Sequence, residues 1–145
     1  MKGFRLYKFE KLCSKKSIDS LFLAGNNKGC IEYPLRAVWK LNKINKPVIN
    51  DNEHLLVKFL INIPKKKIRH AVDRVSLRRK IREAYRLNKH ILYNNIDCIN
   101  DSHTYLVIDI AFIYLSDKKK SYKLIEQRMI SILNKISSSV LIDYK

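Results

Sequence analysis

The feature that most constrains this chain is a basic segment, residues 64–92, in which arginine recurs at every fourth position from Arg74 to Arg86. Good helix formers fill the segment from Ala71 onward, and no glycine or proline occurs before Tyr93, so a helix is predicted there. At about 100° per residue this helix has an apolar side and a basic side. The apolar side is predicted to hold Leu77, Ile81, Ala84, Tyr85, Ile91 and Leu92, and the basic side Arg78, Arg79, Arg82, Arg86 and Lys89.

Four arginines of this helix form a continuous row, which we call the arginine ladder: Arg74, Arg78, Arg82 and Arg86. Like charges at this spacing destabilise a helix by about 0.2–0.5 kcal/mol per pair, so the ladder does not serve helix stability. Guanidinium groups bind phosphate through a rigid fork of donors. The ladder therefore favours a nucleic-acid-binding face over the alternative, an ordinary solvated face.

The charge of the whole chain agrees with a polyanionic partner. The chain has 145 residues, a net charge of +17, a pI of about 9.9 and a hydrophobic fraction of 46%. This length and composition predict one globular domain over residues 1–145. A charge this high destabilises a compact monomer by self-repulsion and favours binding to a polyanion.

The sequence gives no sign of export or of a membrane partner. The N-terminus lacks the apolar run of a signal peptide, and the longest apolar stretch, residues 105–115, contains Asp109 and is too short to span a bilayer. Three cysteines without a Cys-x-x-Cys motif argue against a disulfide framework and a zinc site. We therefore expect a cytoplasmic protein.

In the first half of the chain, the segment from Ser14 onward is predicted to form a short helix that is capped by Ser17 or Asp19 and runs to Ala24. Alternating apolar and polar residues predict strands at 31–41 and 55–63, separated by a polar loop at 42–53, and Pro34 places the first strand at an edge or near its start. If these strands pair, one face of the sheet is polar and basic and carries Arg36, Lys40, Lys58 and Asn62.

In the second half, a loop is predicted at 94–103, followed by a strand at 104–115 that is apolar on both faces and therefore central. Ser116 or Ser121 is predicted to cap a final helix, and residues 137–145 to form a frayed tail. Core positions of this last helix recur at helical spacing and are Leu124, Ile125, Met129, Ile132, Leu133 and Ile136.

No catalytic constellation is visible in the sequence. The 13 acidic residues show no recognisable metal-ligand spacing, the four histidines form no motif, and three glycines do not make a phosphate-binding loop. A helix-turn-helix is disfavoured because a strand and a loop flank the basic helix. The sequence thus predicts a binding protein and shows no catalytic residue or metal-ligand motif, while binding of a divalent ion by the protein itself stays open.

The basic segment resembles the signature of the bacterial ribonuclease P protein component. The matching residues are Ala71-Val72-x-Arg74, followed by Arg78-Arg79-x-x-Arg82-Glu83-Ala84-Tyr85-Arg86. Pro64-Lys65-Lys66 is similar to the family's strand end, and Ile18–Phe22 with Gly25 is similar to its first helix, so the resemblance covers about residues 5–136. One departure is clear: Val75-Ser76 stands where the family motif has Asn-Arg.

The resemblance implies an α+β fold, an α-β-β-β-α-β-α two-layer sandwich with a mixed sheet and the basic helix in a left-handed crossover, as in the second domain of a small-subunit ribosomal protein. It also implies that the protein pairs with a catalytic RNA that removes the 5′ leader of precursor tRNA. Hydrolysis would be performed by that RNA with Mg²⁺ bound mainly to it, and the protein alone would be inactive. The alternative is another basic RNA-binding module, such as a ribosomal or ribosome-assembly protein.

The family's functional positions carry over to two groups of residues. The positions that the resemblance assigns to the catalytic RNA are Lys65, Lys66, Arg74, Arg78, Arg79, Arg82 and Arg86. The positions that it assigns to the single-stranded leader are Ile18, Phe22, Arg36 and Lys58. Ile18 is not aromatic, which weakens base stacking at that position.

Overall fold

The computed structural model describes residues 5–23, 27–44, 55–96 and 105–144. A 3-10 turn at Lys8–Glu10 precedes four helices and four strands. In chain order these are α1 (Lys15–Leu21), β1 (Lys28–Glu32), β2 (Leu35–Ile44), β3 (Leu55–Asn62), α2 (Ala71–Asn88), α3 (His90–Ile96), β4 (Tyr105–Tyr114) and α4 (Tyr122–Tyr144).

The strands form one mixed sheet in the order β1-β2-β4-β3. Strand β2 is antiparallel to both β1 and β4, whereas β3 is parallel to β4 and is joined to it through α2 and α3. This confirms the α+β class, the mixed sheet and the central position of the strand predicted at 104–115. The predicted element order holds with one addition, the short helix α3.

The two faces of the sheet are covered differently. Helices α2, α3 and α4 pack on one face and enclose the main core, in which Leu77, Ile81, Ala84 and Tyr85 are fully buried, as the helical wheel predicts. The other face carries a smaller cluster built from residues 12, 21, 38 and 111, with Ile18 packed against it. Because α1 is only 7 residues long, much of this second face stays outside the cluster.

Two predictions about the first half of the sheet are wrong. The segment 31–41 is not one strand, because β1 ends at Glu32, the cis peptide Tyr33-Pro34 lies in a turn, and β2 begins at Leu35. Apolar and polar residues continue to alternate across this hairpin, so the sequence pattern gives no sign of the turn. Strand β2 also extends to Ile44, into the predicted loop, because ten residues of β4 pair with it. The rest of that loop lies outside the described residues.

The segments 31–41 and 55–63 do not pair with each other, because β4 lies between β2 and β3. The prediction that their polar side chains share one face nevertheless holds. Lys40 and Lys58 are both opposite Asp109 of β4. Arg36 and Asn62 are both opposite Ile113, so the four polar residues form two rows across three strands.

The predicted N-cap of α1 is wrong, because Ser17 and Asp19 lie inside the helix and Ser14 precedes it, whereas the predicted cap Ser121 of α4 is confirmed. Ser14 Oγ accepts a hydrogen bond from the Ser17 amide, and α1 ends at Leu21, before the predicted end at Ala24, which lies outside the described residues. Ser121 Oγ accepts from the Leu124 amide at 3.4 Å and caps α4.

Two segments predicted to lack regular structure are helical. Residues 94–96 continue α3, while the remainder of the predicted loop at 94–103 lies outside the described residues. The predicted frayed tail is the last part of α4, which continues to Tyr144 because Ser137 and Val140 are buried against the rest of the fold.

Candidate nucleic-acid interface

Helix α2 presents its basic side away from the core. Arg79 and Arg82 are exposed and Arg78 is partly exposed, while the opposite side of the helix is buried. Within the described part of the chain, these three guanidinium groups make no hydrogen bond or ion pair. Their charge is therefore available to an external anion.

Arg86, the last member of the arginine ladder, is paired within the helix. Its Nε lies 2.9 Å from Glu83 Oε2 and its Nη2 lies 2.5 Å from Glu83 Oε1, so the contact is bidentate. This hydrogen bond lowers the pKa of the Glu83 carboxyl, which stays ionised at neutral pH. A phosphate would meet Arg86 with its charge already partly neutralised.

Arg74, the first member of the ladder, forms hydrogen bonds to the backbone of the segment that precedes α2. Its Nη1 donates to the carbonyl oxygens of Ile68 and Arg69 at 2.9 and 2.8 Å. These bonds connect α2 to the turn at residues 65–67, whose exposed Lys65 and Lys66 belong to the predicted RNA-binding set. Arg74 thus positions the lysine turn relative to the rest of the ladder.

Lys89 does not lie on the basic side, and this prediction is wrong. Its side chain is buried, and Nζ lies 3.1 Å from Glu10 Oε1 and 2.5 Å from the Arg5 carbonyl oxygen. The helical wheel fails here because α2 ends at Asn88 and Lys89 occupies the junction with α3.

The residues that depart from the family motif are accessible. Val75 is 44% exposed and Ser76 is partly exposed on α2. The two substitutions therefore change the surface of the helix and leave its buried side untouched.

A second candidate surface is the sheet face beside α1. It is formed by the polar rows of β2 and β3, in which Arg36 is exposed and Lys58 partly exposed. Phe22, directly after α1, is 46% exposed, whereas Ile18 is partly buried against the small apolar cluster. All four predicted leader-binding residues are thus at least partly accessible, and Ile18 also packs against the small apolar cluster. We call this surface the cleft face.

Two further residues of the cleft face were not among the predicted site residues. Lys40 Nζ donates to Ser20 Oγ at 2.6 Å, which ties β2 to α1. Asp109 is buried, with Asn42 Nδ2 at 3.4 Å from its Oδ2. Burial raises the pKa of the Asp109 carboxyl, and the positive charges of Lys58 and Lys40 oppose this rise.

The described residues contain no group of three or more His, Cys, Asp or Glu side chains that could hold a metal ion. The buried carboxylate of Asp109 faces lysines, which is unfavourable for a cation. No helix in the described ranges combines the length and the apolar character needed to cross a membrane.

These features define a class of protein: a strongly basic α+β domain with a cationic helix side and a polar cleft face. The family model described as Ribonuclease P matches residues 6–137 of the chain. The chain therefore belongs to the ribonuclease P protein family.

Individual relatives agree with this assignment. The ribonuclease P protein components of two Porphyromonas gingivalis strains are 33% identical over 137 residues, which cover 94% of this chain and 90% of theirs. The ribonuclease P protein component of Chlorobium phaeobacteroides is 30% identical over 141 residues, with the same coverage. The solved Staphylococcus aureus RNase P protein superposes with a TM-score of 0.59 over 89% of this chain and 96% of its own, at 17% identity, and supports the fold.

Proposed function

We propose that this chain is the protein subunit of ribonuclease P, which binds a catalytic RNA and helps it to remove the 5′ leader of precursor tRNA in the cytoplasm. Family membership supports the proposal. The observation that carries it is the side of α2 on which Arg78, Arg79 and Arg82 are accessible and make no ion pair among the described residues. A row of unneutralised guanidinium groups on a packed helix is suited to a phosphate backbone.

The catalytic RNA would dock on α2 and on the lysine turn. Each phosphate that a guanidinium or ammonium group neutralises releases condensed counterions, which favours association at low salt. Arg78, Arg79 and Arg82 supply the contacts on the helix, and Lys65 and Lys66 extend the surface at its N-terminal end. Arg74 supports that extension through its bonds to the backbone of residues 68 and 69.

The leader would lie on the cleft face as an extended single strand. Phe22 offers an exposed ring on which a base can stack, and Arg36 and Lys58 offer cations to the phosphates. Lys40 is held by Ser20, so it marks the boundary between α1 and the sheet beside this path. Because stacking and phosphate contacts do not depend on base identity, this surface would accept leaders of different sequence.

Hydrolysis would be performed by the RNA subunit. Mg²⁺ ions held mainly by that RNA would activate the attacking water and stabilise the leaving oxygen. The chain's own contribution would be to bind and orient the precursor, because the carboxylate of its cleft face, Asp109, is buried among cationic side chains and is poorly suited to hold Mg²⁺.

Identification of the RNA that copurifies with the tagged full-length chain tests this proposal. We expect one dominant structured RNA that cleaves precursor tRNA at the mature 5′ end. The alternative, a ribosomal or ribosome-assembly protein, predicts ribosomal RNA. Recovery of ribosomal RNA without that cleaving RNA would overturn the proposal.

A further inference from the structure

A cavity of about 220 Å³ lies beside the basic side of α2, where the N-terminal segment approaches that helix and strand β3. The sequence pattern gives no function to this N-terminal segment. The residues that line the cavity are Leu6, Tyr7, Lys8, Lys11, Phe59 and Arg82.

Three of the lining residues carry positive charge. Lys8, Lys11 and Arg82 are exposed, and their side chains make no hydrogen bond or ion pair within the described ranges. The described residues that line the cavity include no acidic side chain. An anionic group at the cavity would therefore meet three cations that approach it from the 3-10 turn, the segment after it and helix α2.

The other lining residues are apolar or aromatic. Phe59 is 5% exposed and its ring packs against Tyr85 with centroids 4.4 Å apart, while Leu6 is partly buried. Tyr7 stacks on Phe9 with centroids 5.2 Å apart and rings inclined by only 7°. The cavity thus has an apolar and aromatic lining next to its cations. It is smaller than the roughly 300–1,000 Å³ of pockets for drug-sized ligands, so it suits one small group such as a single base.

Hydrogen bonds and a buried ion pair connect the segments that form the cavity walls. The Leu12 amide donates to the Phe59 carbonyl oxygen at 2.9 Å, and Lys11 bridges to Phe59 as a parallel partner. The Tyr7 amide donates to Glu10 Oε2 at 2.8 Å, and Glu10 is held by its buried ion pair with Lys89. A site that is already ordered loses less conformational entropy on binding.

We infer that this cavity binds a single unpaired nucleotide of the RNA partner. Its base lies against Leu6, Tyr7 and Phe59, and its phosphate lies near Lys8, Lys11 and Arg82. This inference rests on the proposed function for the source of the nucleotide, and it adds the N-terminal segment to the RNA-binding surface. It also explains why Arg82 remains unpaired beside an aromatic lining.

The test is an NMR titration of the isotope-labelled full-length chain with two probes, adenosine 5′-monophosphate and ribose 5-phosphate. We expect adenosine 5′-monophosphate to shift the amide signals of residues 6–11 and 82, and to bind about tenfold more tightly than ribose 5-phosphate, because only the former has a base to stack. The double variant Lys8→Ala/Lys11→Ala should lose most of this binding. Lys123→Ala, which removes an exposed lysine of α4 that does not line the cavity, is the matched control and should leave binding unchanged.

Equal affinity for the two probes, or amide shifts confined to other parts of the chain, would overturn the inference. An unchanged affinity in the double variant would overturn it as well. Neither probe contains the catalytic RNA, so the outcome is independent of the proposed function. If the chain binds the catalytic RNA but shows no base-dependent amide shifts at the cavity, only this inference is overturned. If the chain shows those shifts but does not bind the catalytic RNA, only the proposed function is overturned.

Discussion

Lys89 Nζ lies 3.1 Å from Glu10 Oε1, and the exposed fractions of the two side chains are 2% and 0%. The pair joins residues 79 positions apart and fastens the N-terminal segment to the junction of α2 and α3. The Tyr93 hydroxyl adds a hydrogen bond to the same carboxylate oxygen at 3.3 Å. A buried charge left without its partner is costly, so the pair makes the N-terminal segment part of the folded domain.

We expect Glu10→Leu to reduce the free energy of unfolding by about 3–5 kcal/mol, because it leaves the Lys89 ammonium buried and uncompensated. Glu10→Leu/Lys89→Met should recover most of the loss. Lys119→Ala is the control, since its pair with Asp73 is solvent-accessible and should contribute less than about 1 kcal/mol. Urea unfolding monitored by circular dichroism measures all three. A loss below about 1 kcal/mol for Glu10→Leu would contradict a buried pair.

The hydroxyl of Tyr85 is buried and has no hydrogen-bond partner among the described residues. We expect Tyr85→Phe to raise the free energy of unfolding by about 1 kcal/mol, because it removes an unsatisfied polar group. Tyr114→Phe is the matched control: its hydroxyl donates to the Lys118 carbonyl oxygen at 2.5 Å and accepts from the Lys120 amide at 3.1 Å, so its loss should destabilise the fold. Thermal or urea unfolding measures the change in the free energy of unfolding for both variants. A clear loss of stability in Tyr85→Phe would mean that its hydroxyl is satisfied.

The sequence predicts those helices and strands in which apolar residues repeat regularly over many positions. The helix at Ala71–Asn88, the central strand and the core side of α4 follow from apolar spacing, because burial of one side imposes that spacing. The hairpin at Tyr33-Pro34 and the position of Lys89 do not follow from it. The turn leaves little local signal because the alternation of apolar and polar residues continues through it. The end of α2 leaves little signal because no glycine marks it.

In the candidate site, too, some parts could be predicted from the sequence and others could not. The basic side of α2 is local in sequence, so Arg78, Arg79 and Arg82 could be named from spacing. Spacing misplaces Lys89, which lies beyond the helix end. The surroundings of Asp109 depend on the register of β4 with strands that lie far from it in the chain, and the cavity beside Arg82 depends on a segment without a periodic pattern. Contacts between distant segments are specified by packing, which a single sequence does not display.

Substitutions on α2 should weaken RNA binding in a graded order. Arg78→Ala and Arg82→Ala each remove an unpaired guanidinium and should flatten the slope of log K against log salt by roughly 0.7–0.9 per phosphate contact. Arg86→Ala should have a smaller effect, because Glu83 already engages that side chain through two bonds. Filter-binding titrations with the catalytic RNA at several salt concentrations give both affinity and slope. Identical losses for all three variants would mean that the pairing with Glu83 is broken in the complex.

Phe22→Ala should weaken binding of precursor tRNA to the holoenzyme and leave mature tRNA binding unchanged. The reason is that a stacked leader base contributes about 1–3 kcal/mol and mature tRNA has no leader. Because Phe22 is 46% exposed, the melting temperature of the Phe22→Ala variant should differ little from that of the parent chain. Ile31→Ala, at an exposed apolar residue of β1, serves as the control. Equal losses for both tRNAs, or a markedly lower melting temperature, would show that Phe22 is structural.

The most direct measurement is the cleavage of precursor tRNA by the chain's own catalytic RNA at limiting Mg²⁺, with and without the purified protein. We predict that the protein raises kcat/KM for removal of the 5′ leader, that Arg78→Ala/Arg82→Ala loses most of this gain, and that RNA-free protein cleaves nothing at that position. Cleavage by the RNA that is indifferent to added protein, or site-specific cleavage by the protein alone, would contradict its role as the protein subunit of ribonuclease P.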